Sequence, residues 1–145
     1  MEKAIDDFTL VDWFQVFSID IWKRIDFTWR TKGLKLYETT ITQNLLYSIF
    51  QLAKGRMIPV KLLEAKNESI NGNDIELAIE TNRGFILFPC QAKLIKENGK
   101  YRSLSHKVGS RYQIDLLLRY AQKVQGVPLY LFYNCIWDQD RFRGL

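Results

Sequence analysis

Histidine occurs once in this chain of 145 residues, cysteine twice and proline three times. Cys90 and Cys135 stand singly in apolar runs, without the paired spacing of a zinc site, and read as core thiols of a reducing compartment. The lone His106 falls in a polar loop and reads as a surface residue rather than a general base. No apolar run approaches the ~20 residues needed to span a bilayer. Glu2, Asp6 and Asp7 occupy the place where a signal peptide would be basic and then apolar. A cytoplasmic protein with no membrane partner is expected.

Hydrophobic residues make up 47% of the chain and aromatics 14%, enough to bury one core at this length, so a single domain over residues 1–145 is expected. There is no repeat, low-complexity tract or linker. The net charge of +5 is unevenly placed: residues 1–80 carry 10 Lys/Arg against 12 Asp/Glu, whereas residues 81–145 carry 11 against 4. A basic second half suits a polyanion such as nucleic acid, although solvated charge needs no partner.

Apolar periodicity gives the elements. Trp13, Phe14, Phe17, Ile21, Ile25 and Trp29 recur at three- and four-residue steps and predict a helix over residues 8–30 with one buried stripe. Thr40 with Gln43 matches a capping box, and Leu45, Leu46, Ile49 and Leu52 predict a second helix over 41–54, stopped by Gly55. Residues 57–64 read as a strand, 67–73 as a turn, and 74–80 as a strand with Asp74, Glu76, Ala78 and Glu80 on one face. A reversal at Asn82, Arg83 and Gly84 leads into a central strand over 85–94, where Pro89 hints at a bulge. After a polar stretch, Tyr112, Leu116, Leu117, Tyr120 and Val124 predict a helix ending at Gly126, and residues 128–134 a buried fourth strand. The order is α-α-β-β-β-α-β.

Gln91 and Lys93 interrupt the apolar central strand, and their two-residue spacing turns both to one face. Burying a lysine costs several kcal/mol unless it is compensated, so the pair demands a reason. Asp74 and Glu76 stand at the start of the neighbouring strand, and a hairpin brings the two sets together. Such a cluster fits metal-assisted phosphodiester hydrolysis. Mg²⁺ takes oxygen ligands, here the Asp74 carboxylate, the Gln91 amide oxygen and the Ala92 carbonyl, while Lys93 orients water and offsets charge on the phosphoryl group. An ion pair between Lys93 and Asp74 or Glu76 is the structural alternative.

With these residues in that order, the chain resembles the PD-(D/E)XK (restriction-endonuclease-like) nuclease superfamily. Residues 38–134 follow its αβββαβ core, with Asp74 in the place of the acid that opens the second strand and Gln91-Ala92-Lys93 in the place of the (D/E)xK tripeptide. The glutamine departs from the acidic consensus and is similar to the QxK variant of Mrr-like enzymes. The resemblance implies an α/β (α+β) fold with a mixed central sheet flanked by helices, a core over 36–135 and an N-terminal helical extension over 1–35. It also implies Mg²⁺ or Mn²⁺ as cofactor. Glu38 resembles the superfamily's helix-borne glutamate, with Glu76 as the other candidate, and Gln113 resembles the glutamine that supports the site or touches DNA. For Glu38 and Gln113 an exposed, solvated position is the plain alternative. Residues 128–134 also resemble the closing strand of an uncharacterised bacterial family of this fold.

Lys96, Lys100, Arg102, Lys107, Arg111, Arg119 and Lys123, interleaved with Tyr101, Tyr112 and Tyr120, suit a phosphate-binding surface beside that site, or else a solvated helix face with its tyrosines in the core. The expectation is a metal-dependent nuclease acting on DNA in preference to RNA, in bacterial defence or genome maintenance. The rival is a catalytically inactive nuclease-fold module that binds nucleic acid or protein. A third reading has a Trp13-to-Trp29 patch docking on a partner. The chain stops soon after the fourth strand, with Trp137 and Phe142 in a charged tail, so truncation or a homodimer covering the sheet edge is a further expectation.

Overall fold

Thr9 opens the first helix. Its hydroxyl accepts from the Asp12 N–H at 3.1 Å while Asp12 Oδ2 accepts from the Thr9 N–H at 2.9 Å, a reciprocal capping box. The computed structural model describes residues 9–55, 60–65, 67–101 and 104–135. Phe8, residues 57–59, Arg102, Trp137 and Phe142 lie outside them. Helix α1 spans Leu10–Arg30 and buries Trp13, Ile21 and Ile25. The periodic stripe is therefore core, and a docking patch from Trp13 to Trp29 is not what it forms. The exposed apolar residues of α1, Val11, Val16, Ile19, Trp22 and Phe27, lie off that stripe.

Helix α2 runs Glu38–Lys54, starting earlier than the Thr40 pattern predicted. Tyr37 is its N-cap, with no side-chain cap bond, so the capping-box reading of Thr40 and Gln43 is wrong. Glu38 occupies the first turn, where the helix dipole favours a carboxylate, and Thr42 bonds back to the Glu38 carbonyl at 2.9 Å.

Strands β1 (Val60–Glu64), β2 (Ile75–Thr81) and β3 (Gly84–Leu94) form an antiparallel meander, and β6 (Leu129–Tyr133) joins β3 in parallel, giving the order β1-β2-β3-β6. The 67–73 turn holds a short helix, α3 (Glu68–Asn71). A two-residue-per-arm ribbon, β4 (Lys107–Val108) and β5 (Arg111–Tyr112), precedes α4 (Gln113–Lys123). Setting aside α1, α3 and the ribbon, the order is αβββαβ, an α+β fold with a mixed sheet flanked by helices.

The β2–β3 register is unbroken from Thr81↔Gly84 to Ile75↔Cys90, so Pro89 makes no bulge. Gly126 lies against that stretch: a Cβ there would sit 2.7 Å from the Leu87 carbonyl oxygen and 3.0 Å from Pro89 Cδ. β6 is an edge strand rather than a buried one, with Leu129 37% and Phe132 44% exposed.

One sheet face packs on α1 and α2. Ile75, Leu77 and Cys90 join Trp13, Leu45, Leu46 and Ile49, while Ala92, Leu94 and Tyr133 join Ile21, Ile25 and Ile41. Each fully buried aliphatic side chain there contributes ~2 kcal/mol. Strand alternation turns Asp74, Glu76, Gln91 and Lys93 to the other face, which α4 covers. Both cysteines are free and buried. No helix among the described residues is long and apolar enough to cross a membrane.

Candidate active site at the unpaired edge of β3

β3 outruns β2. The β2 ladder ends at Ile75↔Cys90, and residues 91–94 pair only with β6. The Ile95 N–H donates to the Tyr133 carbonyl at 3.1 Å, so residues 91, 93 and 95 turn their backbone groups toward β6, and residues 90, 92 and 94 turn theirs to the side β2 has vacated. A buried backbone N–H without a partner costs ~1–3 kcal/mol. Acidic side chains fill that role here. The Asp74 N–H donates to the Cys90 carbonyl at 2.8 Å, the Ala92 N–H donates to Asp74 Oδ2 at 2.6 Å, and the Leu94 N–H donates to Glu38 Oε2 at 2.7 Å. Two carboxylates thus stand along one strand edge, and the Ala92 carbonyl, on the same side as its N–H, faces the same space.

Gln91 is 1% exposed and donates Nε2 to Asp74 Oδ2 at 3.1 Å. A carboxylate only accepts, which fixes the amide with its oxygen turned away, and that buried Oε1 has no hydrogen-bond partner among the described residues. Lys93, 6% exposed, donates Nζ to Gln113 Oε1 at 3.3 Å. Gln113 is the first residue of α4 and 5% exposed. It is not a surface amide, and it lies beneath the site supporting the lysine rather than on the outside.

Glu38 and Asp74 are half-buried and give the cluster its opening. A cleft of about 570 Å³ lined by Tyr37, Leu94 and Lys96 lies beside the start of α2, and Glu38, Asp74, Gln91 and Lys93 are not part of its lining. Burial raises the Glu38 carboxyl above its ordinary value. The Leu94 N–H and the Lys93 ammonium pull it back, and the Asp74 charge pushes it further up. Two acids, Glu38 and Asp74, therefore share a field with two ammonium groups, Lys93 and Lys96.

Glu76 is held apart. Its Oε1 accepts from Asn73 Nδ2 at 3.2 Å and from the Tyr120 hydroxyl, and the Tyr120 hydroxyl is pushed up to about 12 by that bond and by burial. The segment leading into β2 is fixed from below: Gly72 has φ +72°, and a Cβ there would meet the Gln113 carbonyl oxygen at 2.5 Å and the Leu117 nitrogen at 2.8 Å. Helix α4 consequently rests on the backbone that carries Asp74.

Lys96, Lys100, Lys107 and Arg111 are exposed around this end of the molecule, Lys107 Nζ lying 4.7 Å from the centre of the Tyr112 ring. Arg102 is outside the described residues. His106 is exposed and contributes only its carbonyl, which accepts from the Gln113 N–H at 2.8 Å. The parallel register brings in two residues that sequence reasoning passed over. Tyr130 is the partner of Gln91 and Phe132 the partner of Lys93. Alternation in an aromatic strand was visible, but its pairing partner was not.

A divalent cation, tested against this donor set, meets hard oxygens on the strand edge, two carboxylates and one main-chain carbonyl, which suit Mg²⁺ or Mn²⁺, and the Gln91 amide oxygen could join them only by turning its amide over. Among the described residues no group of three or more His, Cys, Asp or Glu side chains could hold a metal ion, so the amide and the carbonyl would have to take part. Fold and cluster together define an α+β protein with an acid–amide–lysine constellation on a strand edge. The chain belongs to a family of unknown function, DUF6615, the match running over residues 10–142. A comparison with curated proteins finds no match.

Proposed function

We propose that this chain is a divalent-metal-dependent nuclease of the PD-(D/E)XK type, in its QxK variant, hydrolysing phosphodiester bonds in DNA. The observation that carries the reading is the pairing of Asp74 and Glu38 along one strand edge, with the Gln91 amide donating to Asp74 beside a buried Lys93. The αβββαβ order, with Asp74 opening β2 and Gln91-Ala92-Lys93 on β3, supports it. Asp74, Glu38 and the Ala92 carbonyl would hold Mg²⁺ or Mn²⁺, with Gln91 Oε1 joining them once its amide turns over, and the ion when bound supplies Lewis acidity and a more acidic water. Lys93, kept in place by Gln113, offsets charge on the phosphoryl group. Glu76, tied to Tyr120 and Asn73, supports the β2 end instead of joining the ligands. Two free, buried thiols fit a cytoplasmic setting, and bacterial defence or genome maintenance is the role such an activity would serve.

A second reading, a nuclease fold that binds nucleic acid without cutting it, draws on the same bonds, because both carboxylates already serve orphan N–H groups. Asp74→Asn and Glu38→Gln keep an acceptor oxygen for those N–H groups and remove the charge. The nuclease reading expects the parent to bind Mn²⁺ in calorimetry and to nick DNA, Asp74→Asn to lose both, and Lys93→Ala to lose cleavage by at least ~100-fold while keeping the metal. A parent that binds no Mn²⁺ and leaves single- and double-stranded DNA intact gives the decision to the binding module.

A further inference from the structure

Three aromatic rings stand in a row beside the candidate site. Phe132 packs against Tyr101 with ring centres 4.6 Å apart, and Tyr130 stacks on Phe132 at 5.4 Å with planes 21° apart. Tyr130 and Phe132 are the cross-strand partners of Gln91 and Lys93, and in a parallel ladder partners share a face. The row therefore begins beside the amide and lysine of the cluster. It lies on the edge strand of the sheet, and Phe132 is 44% exposed with Tyr101 and Tyr130 half-buried. The core does not require Tyr130 or Phe132, since Leu131 and Tyr133 are the β6 side chains that pack on α1 and α2, whereas Tyr101 also packs against the cluster of Ile21, Ile25 and Ile41.

The surroundings identify the occupant. Lys96 and Lys100 precede Tyr101 in sequence and are exposed, the Lys96 N–H donating to the Lys100 carbonyl at 2.9 Å, which closes the loop that leads into Tyr101. Exposed lysines in the loop leading to Tyr101, near an edge-strand ring that is 44% exposed at Phe132, match a polyanion whose flat bases are free to stack, which is an unpaired polynucleotide strand. Paired bases would keep their faces to one another and leave these rings unused. A protein partner would be served by the aromatic row and indifferent to the cations.

We infer that Tyr101, Phe132 and Tyr130 form a stacking platform that delivers an unpaired DNA strand to the cluster at Gln91 and Lys93, making single-stranded or frayed DNA the substrate class. Delivery rests on the nuclease reading, whereas the platform's preference for unpaired strands does not.

The test is fluorescence anisotropy on the full chain in EDTA, with labelled (dT)₁₂ and with a blunt-ended hairpin duplex. (dT)₁₂ is expected to bind at least ~10-fold more tightly than the hairpin, and Phe132→Ala to weaken (dT)₁₂ about tenfold with little effect on the hairpin. Phe132→Trp keeps the platform, so its binding should match the parent and its added emission should be quenched by saturating (dT)₁₂. Equal affinity for the two ligands, or a natively folded Phe132→Ala with unchanged (dT)₁₂ affinity, overturns the inference. So does a Phe132→Trp emission that (dT)₁₂ leaves untouched, which decides the matter even where the alanine variant does not fold. Because these arms contain no divalent ion, a chain that shows the binding pattern but cuts nothing with Mg²⁺ upholds the platform and sinks the nuclease reading. A chain that cuts duplex without preferring the single strand does the reverse.

Discussion

An ammonium group held at 6% exposure, as in Lys93, needs compensation that a single amide dipole at 3.3 Å does not supply alone. The two carboxylates on the strand edge share its field, the lysine lowering and the Asp74 charge raising the Glu38 carboxyl. Glu76 is governed by a separate pair. Its bond from Tyr120 raises the tyrosine hydroxyl from 10.0 to about 12, so that bond's contribution is complete below the unfolded value and is lost as pH rises through the folded one. Tyr120→Phe should therefore lower stability by about 1 kcal/mol at neutral pH, partial exposure keeping it below the value of a sealed pair. In urea titrations the gap between variant and parent should close between pH 10 and about 12. A gap that persists across that window would mean the phenol and carboxylate do not stabilise one another. Asp74, Gln91 and Lys93 were legible in the sequence because polar side chains in an apolar, period-two run have few places to go. The split between Asp74 and Glu76 was not legible, because same-face acids two residues apart are separated only by what α4 and Asn73 present to each.

The elements differ in how much of their physics is local. α1 and the β2–β3 hairpin were readable because their stripe and turn lie within one short window. The start of α2 was misread because Thr40 and Gln43 match the capping-box spacing while the chain enters the helix already at Glu38. That early start places a carboxylate against the Leu94 N–H, a long-range bond that no local pattern announces. β6 looked buried because its composition is apolar and aromatic, yet its position at the sheet edge leaves Leu129 and Phe132 exposed. Gly72 links two elements, since its left-handed φ and its contact with the first turn of α4 leave no room for a side chain. Gly72→Ala should cost at least ~2 kcal/mol in urea unfolding followed by circular dichroism. Gly33→Ala, also left-handed at φ +86° but with nothing within 4 Å of a Cβ, should cost ~1 kcal/mol. Equal losses at the two positions would show that the seat of α4 on Gly72 contributes nothing beyond backbone strain.

At the scale of the molecule the charge asymmetry becomes spatial. The basic second half supplies Lys96, Lys100, Lys107 and Arg111 as exposed residues around the end of the sheet where the two carboxylates gather. Negative charge at the centre with positive charge around it is the arrangement expected where a cation is held and a polyanion is drawn in, and it separates two contributions to binding that one affinity would merge. Ring stacking is insensitive to salt, while each phosphate contact releases counterions and steepens the salt dependence. For (dT)₁₂ in EDTA, log K against log salt should be linear, and the Lys96→Ala/Lys100→Ala pair should reduce the slope's magnitude by about 0.7 for each lysine that meets a phosphate. Phe132→Ala should shift that line downward without changing its slope. A double variant with the parent's slope would assign these lysines to a solvated face, and the contacts that place a strand over the cluster would then have to come from elsewhere on the basic half.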